Sequence, residues 1–243
     1  MKVVVAKDYN ELSKLAADVI EEIVRNKPDC TLGLATGSSP VGMYRELSRR
    51  CSEENLDFSR VHSVNLDEYV GLEPTHDQSY RYFMDDNLFN HINIDKENTY
   101  VAKGVGDPEE NLREFNEILD KTVIDVQVLG IGPDGHLGFN EPGEVLYDKA
   151  HMETLDESTI DANQRFFASR DEVPRKAFTM GMGNIMRAKK LLMVISGNKK
   201  EAASKLLMGD KLDPKCPATF MLMHSDAVVF LEKSLADEIG YMG

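Results

Sequence analysis

The chain of 243 residues is poor in basic residues: 28 Lys and Arg stand against 42 Asp and Glu, a formal net charge of −14 at pH 7. That balance argues against the basic face that nucleic acid or an anionic membrane requires. It leaves room for a phosphorylated small molecule, because a few backbone N–H groups and one or two cations make a local phosphate site. Cysteine is also scarce. Cys30, Cys51 and Cys216 are odd in number, widely spaced and form no CxxC pair, so reduced thiols in a cytoplasmic protein are expected rather than a disulfide framework. No apolar run approaches membrane-span length, and the opening MKVVVAKDYNEL has too short an apolar stretch for a signal peptide. There is no internal repeat and no low-complexity linker, and the Gly/Ser/Thr loop Thr36–Pro40 between a strand and a helix lacks the Walker lysine and the GxGxxG pattern, so that loop indicates neither nucleotide hydrolysis nor dinucleotide binding. The length and ordinary composition suit one α/β domain with a substantial core.

What is present alternates between strand and helix patterns. Val3–Ala6 reads as a strand, and Asp8 with Glu11 opens a helix whose apolar face (Leu12, Leu15, Ala16, Val19, Ile20, Ile23, Val24) ends at Lys27-Pro28. Thr31–Ala35 and Val61–Leu66 read as buried strands, with a helix over Val41–Arg50 after the first. Gln78–Asn90 reads as a helix, Tyr100–Ala102 as a strand, and Asp107-Pro108 as the start of a further helix. Residues 144–169 show little periodicity and suggest a lid excursion. A helix is expected from Pro174 to about Ala188, strands at Leu191–Ile195 and Ala227–Leu231, and a helix opening at Gly197–Lys200. The expected fold is a single-domain α/β, doubly wound and mostly parallel sheet (modified Rossmann-like), with helices on both faces over residues 1–243.

Three strand-to-loop junctions carry chemistry. The central one is Val126–Gly143, VQVLGIGPDGHLGFNEPG, where an apolar strand breaks at Gly130, Gly132, Pro133 and Gly135 and the loop holds Asp134, His136 and Glu141. Loops at the carboxyl ends of such strands are where α/β sheets bind ligands. Two carboxylates beside one imidazole can raise its pKa and fix its tautomer. The same residues would also serve a plain turn with Asp capping a backbone N–H. As a metal set, DxHxxxxE is the weaker reading, since Pro and Gly do not build a helical ligand face. The second junction, Thr36-Gly37-Ser38-Ser39-Pro40, places hydroxyls and N–H groups at a helix start, which suits phosphate, although Ser39-Pro40 alone would cap a helix. The third, Asn65-Leu66-Asp67-Glu68-Tyr69, ends a buried strand in carboxylates. Asp67 is thus a base facing a cleft or a helix cap.

The segments LGLATGSSPVGMY, NLDEYVGL, GIGPDGHLGFNEPG, ANQRFF and SGNKK occur in that order over nearly the whole chain. Together they resemble the glucosamine-6-phosphate deaminase family. Related 6-phosphogluconolactonases share a GDGH-type loop but are not expected to carry GFNEPG or DEYVGL. The resemblance implies conversion of D-glucosamine 6-phosphate and water to D-fructose 6-phosphate and ammonia in amino-sugar catabolism, with no redox cofactor and no catalytic metal. It implies that Asp67 takes the C2 proton and helps deliver one to C1. His136 opens the pyranose ring, flanked by Asp134 and Glu141. Thr36, Gly37, Ser38 and Ser39 hold the phosphate, clamped by Arg165 and Lys200.

Some hexameric members answer to N-acetylglucosamine 6-phosphate through Ser, Arg and Lys residues just after the NEP segment; Glu144, His151 and Glu153 stand there instead. Hyperbolic kinetics and a monomer or small homo-oligomer are therefore expected. A galactosamine-6-phosphate deaminase, a 6-phosphogluconolactonase and a sugar-phosphate sensor are the alternatives.

Overall fold

The computed structural model describes residues 1–155, 157, 160–161, 164, 167 and 169–242. Its centre is a seven-stranded sheet whose strands are β1 (Lys2–Ala6), β2 (Thr31–Leu34), β3 (His62–Asn65), β5 (Thr99–Tyr100), β6 (Val126–Leu129), β9 (Leu191–Ile195) and β10 (Ala227–Glu232). They lie in the order β1-β10-β9-β6-β2-β3-β5, and every pairing is parallel. All residues of β6 and β9 are buried. Because alternate side chains point to opposite faces, burial of every one means that both faces of the sheet are covered. That is why β9 reads as an unbroken apolar run and β6 as one interrupted only by the buried Gln127.

The helices among the described residues are α1 (Tyr9–Asn26), α2 (Val41–Glu54), α3 (Tyr80–Asn87), α4 (Pro108–Lys121), α5 (Met182–Met186), α6 (Lys200–Met208) and α7 (Lys233–Ile239). Asp8 caps α1 by accepting the Glu11 N–H, and Asp107 caps α4, with Pro108 in its first turn. The left-handed Asn55 closes α2. From β2 the chain first builds outward through β3 to β5, then returns through α4 to place β6 on the other side of β2. The sheet therefore changes direction between β2 and β6. At such a switch point the loops leaving the two strand ends part, and a crevice opens between them.

A second, antiparallel sheet was not foreseen. It joins β4 (Asp67–Tyr69), β8 (Lys176–Thr179) and β7 (His151–Thr154) in the order β4-β8-β7. The helix expected from Pro174 to Ala188 is corrected to β8 followed by the short α5. Local helix formers such as Arg175, Lys176 and Ala177 yield here to pairing on both edges, with Asp67 and His151 both opposite Thr179. Strand β7 likewise lies inside the 144–169 excursion. Helix α3 is shorter than expected: it ends at Asn87, and Phe89–His91 form a 3-10 turn.

Candidate active site

Loops from β2, β3 and β6 converge on one cavity of about 650 Å³, within the size range of small-molecule sites. On its first side Thr36, Gly37, Ser38 and Ser39 line it just beyond β2. Gly37 adopts φ +87°, a conformation that favours glycine. The loop is held from below. Tyr44 Oη donates to the Ala35 carbonyl at 2.6 Å, and Tyr9 Oη lies 2.9 and 3.1 Å from the Ser38 and Ser39 carbonyls while accepting the Gly42 N–H. Helix α2 then starts at Pro40 with no side-chain cap and no acidic residue in its first turn. The positive dipole end of the helix suits an anion on this loop.

On the second side stands Asp67, only 6% exposed, with Oδ1 lacking a hydrogen-bond partner among the described residues. Burial pushes its carboxyl up to about 8; the neighbouring Glu68 charge adds to the shift and His136 opposes it. Glu68 is buried too, and burial lifts it to about 7 against three backbone hydrogen bonds. Its carboxylate accepts the N–H groups of Tyr69, Tyr80 and Arg81 at 2.8, 2.9 and 3.0 Å. Glu68 thus ties β4 to the first turn of α3, while Ser79 caps that helix through the Tyr82 N–H.

The third side is the loop after β6. His136 Nδ1 lies 2.9 Å from Asp134 Oδ1 and 3.5 Å from Glu141 Oε2. The contact with Asp134 has ion-pair distance without the alignment of a hydrogen bond. Burial works against protonation of the ring, but the two carboxylates outweigh it and lift the imidazole to about 9. Burial would raise Asp134, yet the imidazolium brings it down to about 2. Gly132 is required here: a Cβ on it would fall 2.3 Å from the imidazole Cε1. The donor atoms of Asp134, His136 and Glu141 lie within 4.8 Å of one another, close enough to share a metal ion. The opposite pKa shifts of His136 and Asp134 are those of an imidazolium beside a carboxylate.

The residues singled out in the sequence fall unevenly about this cavity. Asp67, Asp134, His136, Glu141 and Thr36 to Ser39 all line the same cavity. Lys200 does not. Its ammonium turns to Glu238 of α7 at 3.4 Å, and the lysine lining the cavity is Lys199, at the N-cap of α6. Successive residues at a helix start point in directions about 100° apart, so of two adjacent lysines only one can face the site. Arg165 lies outside the described residues. Sequence reasoning missed the aromatic wall of Tyr69, Tyr80, Phe139 and Phe167. Tyr69 packs on Tyr80 and Phe139 at ring-centroid separations of 4.9 and 5.6 Å. An aromatic residue directly after a strand-end carboxylate, as in Asp67-Glu68-Tyr69, was the signal available.

With this geometry in place, residues 6–230 match the family model for glucosamine-6-phosphate isomerases and 6-phosphogluconolactonases. A glucosamine-6-phosphate deaminase of Clostridium perfringens (strain 13 / Type A) is 52% identical over 238 residues, covering 97% of this chain and 98% of the relative. The solved structure of a monomeric glucosamine-6-phosphate deaminase superposes with a TM-score of 0.93 at 40% identity, over 98% of this chain and 99% of the other. A 6-phosphogluconolactonase from Thermotoga maritima shares the fold alone, with a TM-score of 0.74 at 19% identity over 96% of this chain and 99% of that one. No helix among the described residues is long and apolar enough to cross a membrane. A deaminase relative matched along almost its whole length, on a sheet whose switch point gathers the three motif loops, decides the matter: the chain belongs to the glucosamine-6-phosphate deaminase family of enzymes.

Proposed function

We propose that the cavity converts D-glucosamine 6-phosphate and water to D-fructose 6-phosphate and ammonia, with roles divided by environment. The phosphate rests on the loop of Thr36, Gly37, Ser38 and Ser39 at the start of α2, with Lys199 lining the same cavity. Arg165 is retained as a further phosphate ligand on the ANQRFF motif alone. Anchoring at the far end supplies binding energy that orients C1 and C2 without taking part in the chemistry.

His136, bracketed by Asp134 and Glu141, moves a proton from the anomeric hydroxyl to the ring oxygen and opens the pyranose. Asp67 as carboxylate takes the C2 proton, giving an enolamine, and a proton returned to C1 leaves an imine at C2. Water adds to that imine and ammonia departs, completing the aldose-to-ketose change. A proton next to an aldehyde is weakly acidic, so a dry, raised-pKa carboxylate is the stronger base for it. The observation that carries the reading is that one buried aspartate with an unpartnered Oδ1 and one carboxylate-bracketed imidazole line the same cavity as the Thr36–Ser39 loop at a helix start.

Residues 1–243 act as one domain, in a cytoplasmic enzyme that binds no nucleic acid. The monomer is the proposed state, supported by the monomeric solved relative. Glu153 lies 3.3 Å from His151 Nε2, and an acidic partner there disfavours an anionic effector. Substrate saturation is accordingly hyperbolic, with and without N-acetylglucosamine 6-phosphate. A coupled ammonia assay with glucosamine 6-phosphate tests the activity. Absent ammonia release alongside hydrolysis of 6-phosphogluconolactone would replace this reading with the lactonase, and faster turnover of the galactosamine epimer would change the substrate.

A further inference from the structure

Asp67 and His136 stand on different elements, so something must set their separation. The turn Leu137–Asn140 joins the two halves of the histidine loop: Leu137 and Asn140 form an isolated antiparallel bridge, which brings the residues on either side, His136 and Glu141, together. Gly138 sits in this turn at φ +60°. A Cβ on Gly138 would lie 2.8 Å from Thr179 Oγ1 and 3.3 Å from Asp67 Oδ2. The tip of the turn is therefore pressed against the presumed base and against one residue of β8.

That residue, Thr179, is completely buried. Its hydroxyl accepts the Phe139 N–H at 3.1 Å, while its backbone pairs directly with Asp67 in the β4–β8 ladder. The next residue continues the attachment. The Asn140 side-chain amide donates to the Met180 carbonyl at 2.8 Å, and the Met180 N–H bonds the Leu66 carbonyl at 2.8 Å. A valine at 179 would have the same shape without an acceptor and would leave the buried Phe139 N–H unsatisfied.

We infer that Thr179 is a positioning residue that joins the Asp67 strand to the His136 turn and so fixes the two proton-transfer groups relative to one another. It touches neither substrate nor reacting atom and acts through the turn. This inference rests on the proposed roles of Asp67 and His136.

The test compares Thr179→Val with Thr179→Ser. On glucosamine 6-phosphate, T179V loses roughly tenfold or more in kcat with KM within about threefold, because a small misplacement affects the transition state more than phosphate anchoring. T179S, which keeps the hydroxyl, retains kcat within about threefold. Amide hydrogen exchange read by NMR supplies an arm independent of turnover: the Phe139 amide exchanges faster in T179V and is protected in T179S. Should T179V prove too unstable to assay, Gly138→Ala displaces the same turn and is expected to show the same kcat-selective loss. Equal impairment of T179V and T179S, or near-normal kcat in T179V with Phe139 deprotected, overturns the inference. If the wild type itself releases no ammonia, the functional reading has failed, while the exchange arm still reports on the hydroxyl bond.

Discussion

Two aspartates of the same cavity sit in opposite environments. Asp67 is sealed at the end of a paired strand, has an oxygen without a partner and is pushed up to about 8. Asp134 is 48% exposed on a glycine-rich loop, lies against His136 and is drawn down to about 2. In the proposed mechanism the difference separates a base from a charge that stabilises its neighbour: burial without a partner makes a carboxylate hungry for a proton, and pairing with imidazolium makes it indifferent to one.

The contrast can be broken most severely at Asp67. Asp67→Asn is expected to lower kcat by about 10³-fold or more while leaving sugar-phosphate affinity within roughly tenfold, because it removes a base and not an anchor. Steady-state kinetics and ligand titration check the two halves. The same variant should gain stability in alkali. A folded pKa above the unfolded value gives a contribution that is complete below about pH 4 and is lost as pH climbs through the folded value, here about 8. Denaturant melts at pH 9 should therefore find D67N more stable than wild type by at least ~1 kcal/mol.

His136→Gln comes next, with roughly a hundredfold loss of kcat concentrated on closed-ring substrate. Equal activity of wild type and variant on the pyranose would count against a ring-opening role. The phosphate side should respond differently again: Lys199→Ala raises KM about tenfold with little change in kcat, whereas Lys200→Ala, which loses only a half-exposed pair with Glu238, leaves both nearly unchanged.

The smallest effect sharpens the comparison instead of breaking it. The pH profile of kcat/KM should rise as Asp67 ionises, near 8, and fall as the His136 imidazolium loses its proton, near 9. These are apparent values of coupled groups. The other groups set about Asp67 are Glu68, Tyr69, Tyr80 and Tyr44. Of these, Glu68 is the one that raises it, so Glu68→Gln should move the acid limb to lower pH. An unmoved limb would reduce Glu68 to the tie between β4 and the first turn of α3.

Residues closest to the sheet were the most legible in sequence. The fully buried β9 and the mostly buried β10 read as apolar runs because parallel pairing covers both faces, and Asp8 and Asp107 announced their helices by capping. The loops lining the cavity were readable as strand ends, the one after β6 broken by glycine and filled with carboxylates and histidine. The small antiparallel sheet was not, because three- and four-residue strands leave no periodicity and β8 is fixed by partners more than 20 residues away on either edge. For the same reason Thr179 carried no local signal. Lys199 and Lys200 are indistinguishable without the start of α6 in place.

The central claim is that Asp67 alone removes the C2 proton. It is tested most directly by following loss of the C2 hydrogen of glucosamine 6-phosphate in deuterated water by proton NMR, with wild type and D67N at saturating substrate. The account predicts exchange and turnover with wild type, and no C2 exchange with D67N although the sugar phosphate is bound. Exchange at C2 by D67N at the wild-type rate would contradict it.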